Sequence, residues 1–404
     1  MQQNSASASH KTEKVKPSKT IEMEKTFYDK DFKLGILGGG QLGRMFIQEA
    51  INLDVKVSIL DPDADAPCSK LSAEFEQGSL HDFDTVYAFG KDKDVLTIEI
   101  EHVNVDALEK LASEGVKVYP QPHILRTVQD KGLQKAFYEK NNIATAPFYL
   151  VDNKAEIDAY LNELPFMQKL RTGGYDGRGV TPLKTKDDLD HAFDAASVLE
   201  KFVDFEKEIA VIIARNPSGE LKCFPVVELD FNPEANLVEF LFSPAMIDEA
   251  IAKKAYDLAE EVAKAFEFVG ILAVEMFVTK SGEVLVNEIA PRPHNSGHQT
   301  IEGNITSQYM QHLRAILDLP LGATDATQCA VMLNLLGAKG HEGPVVYNNL
   351  KEVLAVDGAN VHLYGKNTTK SFRKMGHVTV TGKKLDEARK KAVFIKNKLS
   401  ITAK

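Results

Sequence analysis

The 404-residue sequence is short of cysteine: Cys68, Cys223 and Cys329 are its only three, far apart and in no Cys-x-x-Cys pair. That spacing excludes a disulfide framework and a zinc ribbon, and it fits a reducing compartment, so a cytoplasmic protein is expected. No apolar run approaches the roughly 18 to 20 residues of a membrane-crossing helix, and the N-terminus has no apolar core of a secretion signal; no membrane partner is expected. Nor is there an excess of positive charge. A formal net charge of −10 and a pI near 5.6 argue against nucleic acid or an anionic membrane as partner, so any anionic ligand must be met by local basic clusters. The kinase-type Gly-x-x-x-x-Gly-Lys-Ser/Thr loop is missing as well.

What is present is an enzyme-like composition, 44% hydrophobic and 26% charged, with a length that favours two or three domains. Residues 1–28 are rich in Ser, Lys, Thr and Glu and poor in large apolar groups, and read as a flexible tail. Glu13, Glu22 and Glu24 argue against a transit peptide there. From residue 33, apolar strands alternate with amphipathic helices: LGIL (34–37), a helix over 41–51, VKVSIL (55–60), VLTIEI (95–100), a helix over 106–113, and VKVY (116–119). This predicts a parallel α/β domain over 29–125, closing where Pro120 and Pro122 break the pattern. A helix over 128–141 and the strands FMQKL (166–170) and VTPL (180–183) predict a small α+β lobe over 126–205. The remainder, 206–404, reads as a larger lobe. Its helix presents Ile251, Ala255, Leu258, Val262 and Phe266 on one face, and its clearest hairpin joins 271–278 to 283–290 through Thr279-Lys280-Ser281-Gly282.

Gly38-Gly39-Gly40-Gln41-Leu42-Gly43 follows a strand and opens a helix, with Asp61 about twenty residues on, and so satisfies a dinucleotide-binding pattern. The same turn suits any phosphorylated or carboxylated ligand, or serves only as tight strand-to-helix packing. A second loop, Arg171 to Gly179, holds four glycines in nine residues between strands. Its amides can converge on phosphate oxygens, with Lys169, Arg171 and Arg178 supplying charge; a surface hairpin is the alternative. If Val278 pairs with Glu283, Glu275 faces Val286 and Glu288 faces Ala273, which puts the two carboxylates diagonally on one face. Two such groups on apolar strands repel unless a cation lies between them, and oxygen ligands suit Mg²⁺ on nucleotide phosphates. A slipped register that turns one Glu to solvent stays open. The following Pro291-Arg292-Pro293-His294-Asn295-Ser296-Gly297-His298 places polar groups beside that site; zinc at His294 and His298 is disfavoured, because no third ligand is evident.

GGGQLGRM (38–45), LDPDADAPC (60–68), RTGGYDGRG (171–179), VNEIAPRPHNSGH (286–298) and RKMGH (373–377) stand in the order and spacing of one family. Over about 33–380 the sequence resembles the N5-carboxyaminoimidazole ribonucleotide synthetases. The resemblance implies an ATP-grasp fold, α/β and α+β, with an N-terminal Rossmann-like domain, and a C–N ligase consuming ATP and bicarbonate to carboxylate 5-aminoimidazole ribonucleotide, with dimerisation expected. It implies ATP contacts from Lys131, Lys169, the loop Gly174, Tyr175, Asp176, Gly177, Arg178, Gly179 and Val180, the hinge Glu200, Lys201, Phe202 and Val203, and Glu208. Glu275 and Glu288, with Asn287, would hold magnesium. Arg292, His294 and His298 would surround bicarbonate, and Asp176 would orient or deprotonate the amine or serve the loop structurally. Gln41, Leu42, Asn295, Ser296, Lys366 and Arg373 would meet the ribonucleotide, the last two at its phosphate.

The chain departs from the family at Leu229 and Phe231, where many bacterial members carry an Asn-x-His pair, and at Lys131, where Arg is common. Three rivals share parts of the pattern. They are a formate-dependent glycinamide ribonucleotide transformylase of the same fold, an NAD-dependent oxidoreductase built on GGGQLG and Asp61, and a nucleotide sensor without turnover.

Overall fold

The computed structural model describes residues 25–174, 179–232, 234 and 237–404. Tyr175, Asp176, Gly177 and Arg178, named above as ATP contacts, lie outside the described residues, as does most of the N-terminal tail. Of the last four tail residues, Phe27 packs on the first domain's core and Lys25 reaches Asp94 at 2.9 Å, while Tyr28 is exposed.

The first domain is a five-stranded parallel sheet. Leu34–Leu37 lies at its centre, flanked by Val57–Asp61 and Glu74–Gln77 on one side and by Val95–Ile98 and Lys117–Val118 on the other. The central strands are buried throughout, as a sheet covered on both faces by helices requires. The edge strand Glu74–Gln77 and the helix Phe83–Gly90 escaped the pattern reading. The strand is exposed and polar, and the short helix depends on Asp82, whose side chain accepts from the Thr85 N–H at 2.9 Å. Pro122 does not end structure but starts a helix, Pro122–Gln129.

The single helix expected over 128–141 is two. Asp130 leaves the helical region (φ −121°, ψ 109°), and its side chain accepts from Gly132 and Leu133 to cap a second helix, Lys131–Lys140. Beyond it, an antiparallel sheet runs Phe148–Val151, Ser197–Lys201, Phe166–Leu170, Val180–Leu183, with Lys169 opposite Val180. The largest sheet has nine strands. Phe205–Arg215, Gly270–Thr279 and Val284–Ala290 carry one end, and Cys329–Leu336, Lys374–Gly382 and Ala359–Leu363 the other. Helix Glu249–Phe266 covers the first end through Ala255, Leu258, Val262 and Phe266, with Ile251 at the margin.

The hairpin register differs from the expected one. Val278 pairs with Val284, Phe277 with Leu285 and Met276 with Val286, and a bulge at Asn287 then sets Glu275 opposite Glu288. Without the extra residue Glu275 would face Asn287, and Glu288 would fall among Val274, Met276 and Val286 on the core side. One bulged residue flips the remaining strand and brings both carboxylates to the same face. Among the described residues, no helix is long and apolar enough to cross a membrane.

Candidate active site

The paired carboxylates form the centre of the site. Burial and the neighbouring Glu288 charge push the Glu275 carboxyl up to about 8, while Glu288 is largely open to solvent. Cations approach from the small lobe. Lys131 Nζ stands 3.7 Å from Glu288 and Lys169 Nζ 3.3 Å from the Asn287 side-chain oxygen. A half-buried carboxylate held partly protonated beside an open one, with an amide oxygen in the bulge, is an all-oxygen donor set that suits a hard divalent cation.

Lys169 is held by a partner the sequence did not reveal. Glu200, the first hinge residue, is buried with its carboxylate between Lys169 (2.5 Å) and Lys135 (2.6 Å). Burial alone would raise this carboxyl, but the two lysines hold it below its ordinary value. Lys135 is itself buried and also donates to the Thr145 hydroxyl at 2.5 Å; nothing in its helical sequence context marks it. Lys201 donates through its side chain to the Glu163 carbonyl and through its backbone N–H to the Pro147 carbonyl, Phe202 is exposed and Val203 half-buried. Two of the three guanidinium nitrogens of Arg171, Nε and Nη2, donate to Asp130 at 2.9 and 2.7 Å, so its charge is matched within the protein. Gly174, Gly179 and Val180 frame the loop, with Gly179 at φ +70°, a conformation that favours glycine.

Glu208 sits on the same face of the large sheet, opposite Phe277 and Leu229. Burial lifts its carboxyl to about 7. It lines a cleft of about 370 Å³ with Phe205, Leu229, Phe231, Met246 and Arg389. The two departures from the family pattern therefore make an apolar wall beside Glu208.

The Pro-Arg-Pro-His-Asn-Ser-Gly-His segment is braced at every polar residue. Arg292 pairs with Glu101 of the first domain at 2.8 Å; burial works against its charge, but Glu101 outweighs it. His294 lies 3.6 Å from Glu275 and 2.8 Å from the Ser296 hydroxyl, and burial together with Arg292 keeps it neutral. Asn295 and Asn334 exchange amide hydrogen bonds at 2.8 Å. His298 is enclosed by Gln308, Tyr309 and His377 rather than by carboxylates or thiolates. Among the described residues no cluster of three or more His, Cys, Asp or Glu could hold a metal.

The glycine turn of the first domain is already satisfied internally. Glu99, at the end of a neighbouring strand, accepts from the backbone N–H groups of Gly40 and Leu42, and Asp61 accepts from Gly39 at 2.6 Å. A Cβ on Gly40 would stand 2.4 Å from the Glu99 carboxylate. Protein carboxylates occupy the place a pyrophosphate would need, which overturns the dinucleotide reading. Gln41 remains half-exposed at the helix mouth, whereas the Leu42 side chain is buried in the domain core. Lys366 donates to the Lys374 carbonyl at 2.7 Å and Arg373 to the Thr368 carbonyl at 2.8 Å, so backbone contacts hold both in the turn between Ala359–Leu363 and Lys374–Gly382.

A parallel α/β domain, a small antiparallel lobe with a glycine-rich loop, and a large sheet carrying paired carboxylates define an ATP-grasp protein. Family models agree: a ribonucleotide synthetase preATP-grasp domain matches residues 32–129, an ATP-grasp domain 136–309, and a phosphoribosylaminoimidazole carboxylase C-terminal domain 330–391. The chain belongs to the N5-carboxyaminoimidazole ribonucleotide synthetase family, in which it is 42% identical to the Thermotoga maritima synthetase, covering 92% of this chain and 100% of that one with a TM-score of 0.85. An Aspergillus clavatus N5-carboxyaminoimidazole synthase solved with ADP and 5-aminoimidazole ribonucleotide is 34% identical over 91% of this chain and 98% of that one, with a TM-score of 0.83. The chloroplastic phosphoribosylaminoimidazole carboxylase of Vigna aconitifolia is 41% identical over 87% of this chain, but the match spans only 64% of that longer protein.

Proposed function

We propose that the chain uses ATP and bicarbonate to carboxylate the exocyclic amine of 5-aminoimidazole ribonucleotide, giving N5-carboxyaminoimidazole ribonucleotide, ADP and phosphate in de novo purine synthesis. The observation that carries the reading is the Glu275–Glu288 pair, opposed across the bulge and flanked by Lys131 and Lys169. Family membership narrows this phosphate chemistry to one substrate.

Glu275, Glu288 and Asn287 would hold Mg²⁺, which when bound offsets charge on the β- and γ-phosphates. Lys169, steadied by Glu200, and Lys131 meet the phosphates, and the 200–203 hinge backbone and Glu208 take adenine and ribose. A bicarbonate oxygen attacks the γ-phosphorus as the bond to ADP breaks, and carboxyphosphate forms. The amine nitrogen then attacks the carboxyl carbon, or CO₂ released from it, while phosphate leaves and the amine gives up a proton. Arg292 and the neutral His294 and His298 orient the anion, and Asp176, by family resemblance alone, would orient the amine or receive that proton. The rigid loop around them acts mainly by position, where effective molarity lowers barriers by several kcal/mol. Gln41, Asn295 and Ser296 bound the ribonucleotide, and Lys366 and Arg373 take its phosphate. A cytoplasmic homodimer completes the reading.

The test is ADP release from Mg-ATP and bicarbonate, with and without 5-aminoimidazole ribonucleotide. Stimulation by the ribonucleotide that is lost in Glu288→Ala supports the proposal. Activity with formate and glycinamide ribonucleotide instead would keep the fold and replace the substrate.

A further inference from the structure

His298 sits in the proposed bicarbonate site with one ring nitrogen already committed, and a single buried side chain decides how. Gln308, fully buried at the start of helix Gln308–Ile316, lies alongside the backbone of His294. Its Oε1 accepts from the His294 N–H at 2.9 Å, and its Nε2 donates to the His294 carbonyl at 2.7 Å. A backbone N–H can only donate and a carbonyl can only accept, so these two contacts settle which end of the amide is which. The same Nε2 lies 3.2 Å from His298 Nδ1, and Nδ1 must therefore accept. The Tyr309 hydroxyl, 3.0 Å from the same nitrogen, then donates to it as well.

A neutral imidazole carries one proton, so an accepting Nδ1 leaves that proton on Nε2. We propose that Gln308 is a positioning residue, which holds His298 as the Nε2-protonated tautomer and so makes it a neutral hydrogen-bond donor rather than a base. This rests on the placement of His298 beside bicarbonate. The surroundings agree from each side. His377 lies tilted against the ring at 4.7 Å, Tyr309 and Tyr364 close the pocket, and the charges of Lys374, Arg292 and His362 all oppose a second proton. Burial is the largest influence, and His298 is driven down to about 3. A neutral donor can bind bicarbonate or carboxyphosphate without surrendering a proton to it, and removal of the amine proton falls to another group.

The Gln308 amide is itself locked. Its backbone N–H donates to the Thr300 hydroxyl at 2.8 Å, and that hydroxyl donates to the Gly297 carbonyl at 2.5 Å. Gly297 carries no side chain where a Cβ would meet Oε1 at 2.3 Å. The Asn-Ser-Gly-His turn and the start of the helix therefore form one unit, with the tautomer as its output.

The experiment is histidine-selective ¹⁵N NMR of the full chain near neutral pH, with His298 assigned by the signals lost in His298→Asn. The expected wild-type spectrum has a pyridine-type Nδ1 and a pyrrole-type Nε2 at His298. Gln308→Glu puts a carboxylate where Nε2 donated, and it should move the proton to Nδ1 or make the ring an imidazolium. A protonated Nδ1 in the wild type, or no change in Gln308→Glu, overturns the proposal. If that variant does not fold, Gln308→Met combined with Tyr309→Phe removes both donors and should give a mixture of tautomers; a single Nε2–H tautomer retained there overturns it equally. ADP release followed on the same samples should fall by about 100-fold in Gln308→Glu. A switched tautomer with unchanged turnover would remove His298 from the bicarbonate site, and a wild type indifferent to the ribonucleotide would overturn the function instead.

Discussion

Glu275 and Glu288 stand directly opposite one another on adjacent antiparallel strands because Asn287 is one residue too many for the ladder. Directly opposed like charges destabilise a strand pair, and here one of them is half-buried. The arrangement is costly without a cation and favourable with one, which makes it sensitive to both pH and metal.

In metal-free protein, Glu275 keeps its proton up to about pH 8 when folded, against an ordinary value of 4.5. The unfolded chain releases that proton first, so this group's contribution to stability is present below about 4.5 and lost as pH rises towards 8. Thermal denaturation across this range should show declining stability without Mg²⁺ and a Mg²⁺-induced gain that grows with pH. In Glu275→Gln both trends should flatten; an unchanged slope would assign it to another group, such as Glu208.

Glu288→Ala removes the open half of the pair and leaves the fold's interior untouched. Ribonucleotide-stimulated ADP release should drop by on the order of 100-fold or more, while the melting temperature in the absence of ligand should be no lower than that of the wild type, because the repulsion with Glu275 is gone. Retained turnover would move the metal elsewhere.

Lys135→Met would leave Glu200 with Lys169 as its only cation. Lys169 would then be drawn fully into that pair. Stability should fall by about 1–3 kcal/mol, and ATP should bind about tenfold more weakly. Chemical denaturation and a nucleotide titration measure the two effects separately. A loss of stability with unaltered ATP affinity would limit Lys135 to a structural role.

Gly297→Ala puts a methyl group against the buried Gln308 amide, 2.3 Å from Oε1 and 2.5 Å from Cδ. Overpacking of this kind costs about 1–3 kcal/mol, read as a lowered denaturation midpoint. A neutral substitution would mean that Gln308 yields readily, and its hold on His298 would be looser than the geometry indicates.

NAD and NADH should show no binding by calorimetry, since Glu99 and Asp61 already take the N–H groups of Gly39, Gly40 and Leu42. Binding that survives in the full chain would require those carboxylates to leave.

Much of the scaffold was legible in local pattern. Alternation of strand and helix gave the parallel domain, and the apolar face of Glu249–Phe266 gave the cover of the large sheet. The helix break at Asp130 was missed because its capping role competes with continuous helical periodicity over 128–141. The hairpin was recognised but its register was not, since a bulge is a choice made by packing on both faces at once. Glu99 and Lys135 were invisible for a related reason: each is a charged residue whose partner lies 57 to 65 positions away in the chain.

The sequence by itself determined the chemistry on offer: two carboxylates in an apolar hairpin, a glycine-rich loop behind a lysine strand, and a stiff Pro-Arg-Pro-His-Asn-Ser-Gly-His segment specific enough to point to one family. These are short-range facts, written within a dozen or so residues. Only the tertiary structure decided that the first glycine turn is filled by Glu99, that Lys169 shares Glu200 with Lys135, and that Gln308 orients His298. Each depends on where buried charges and amides find partners, and desolvation makes such pairing obligatory without saying from which part of the chain the partner will come.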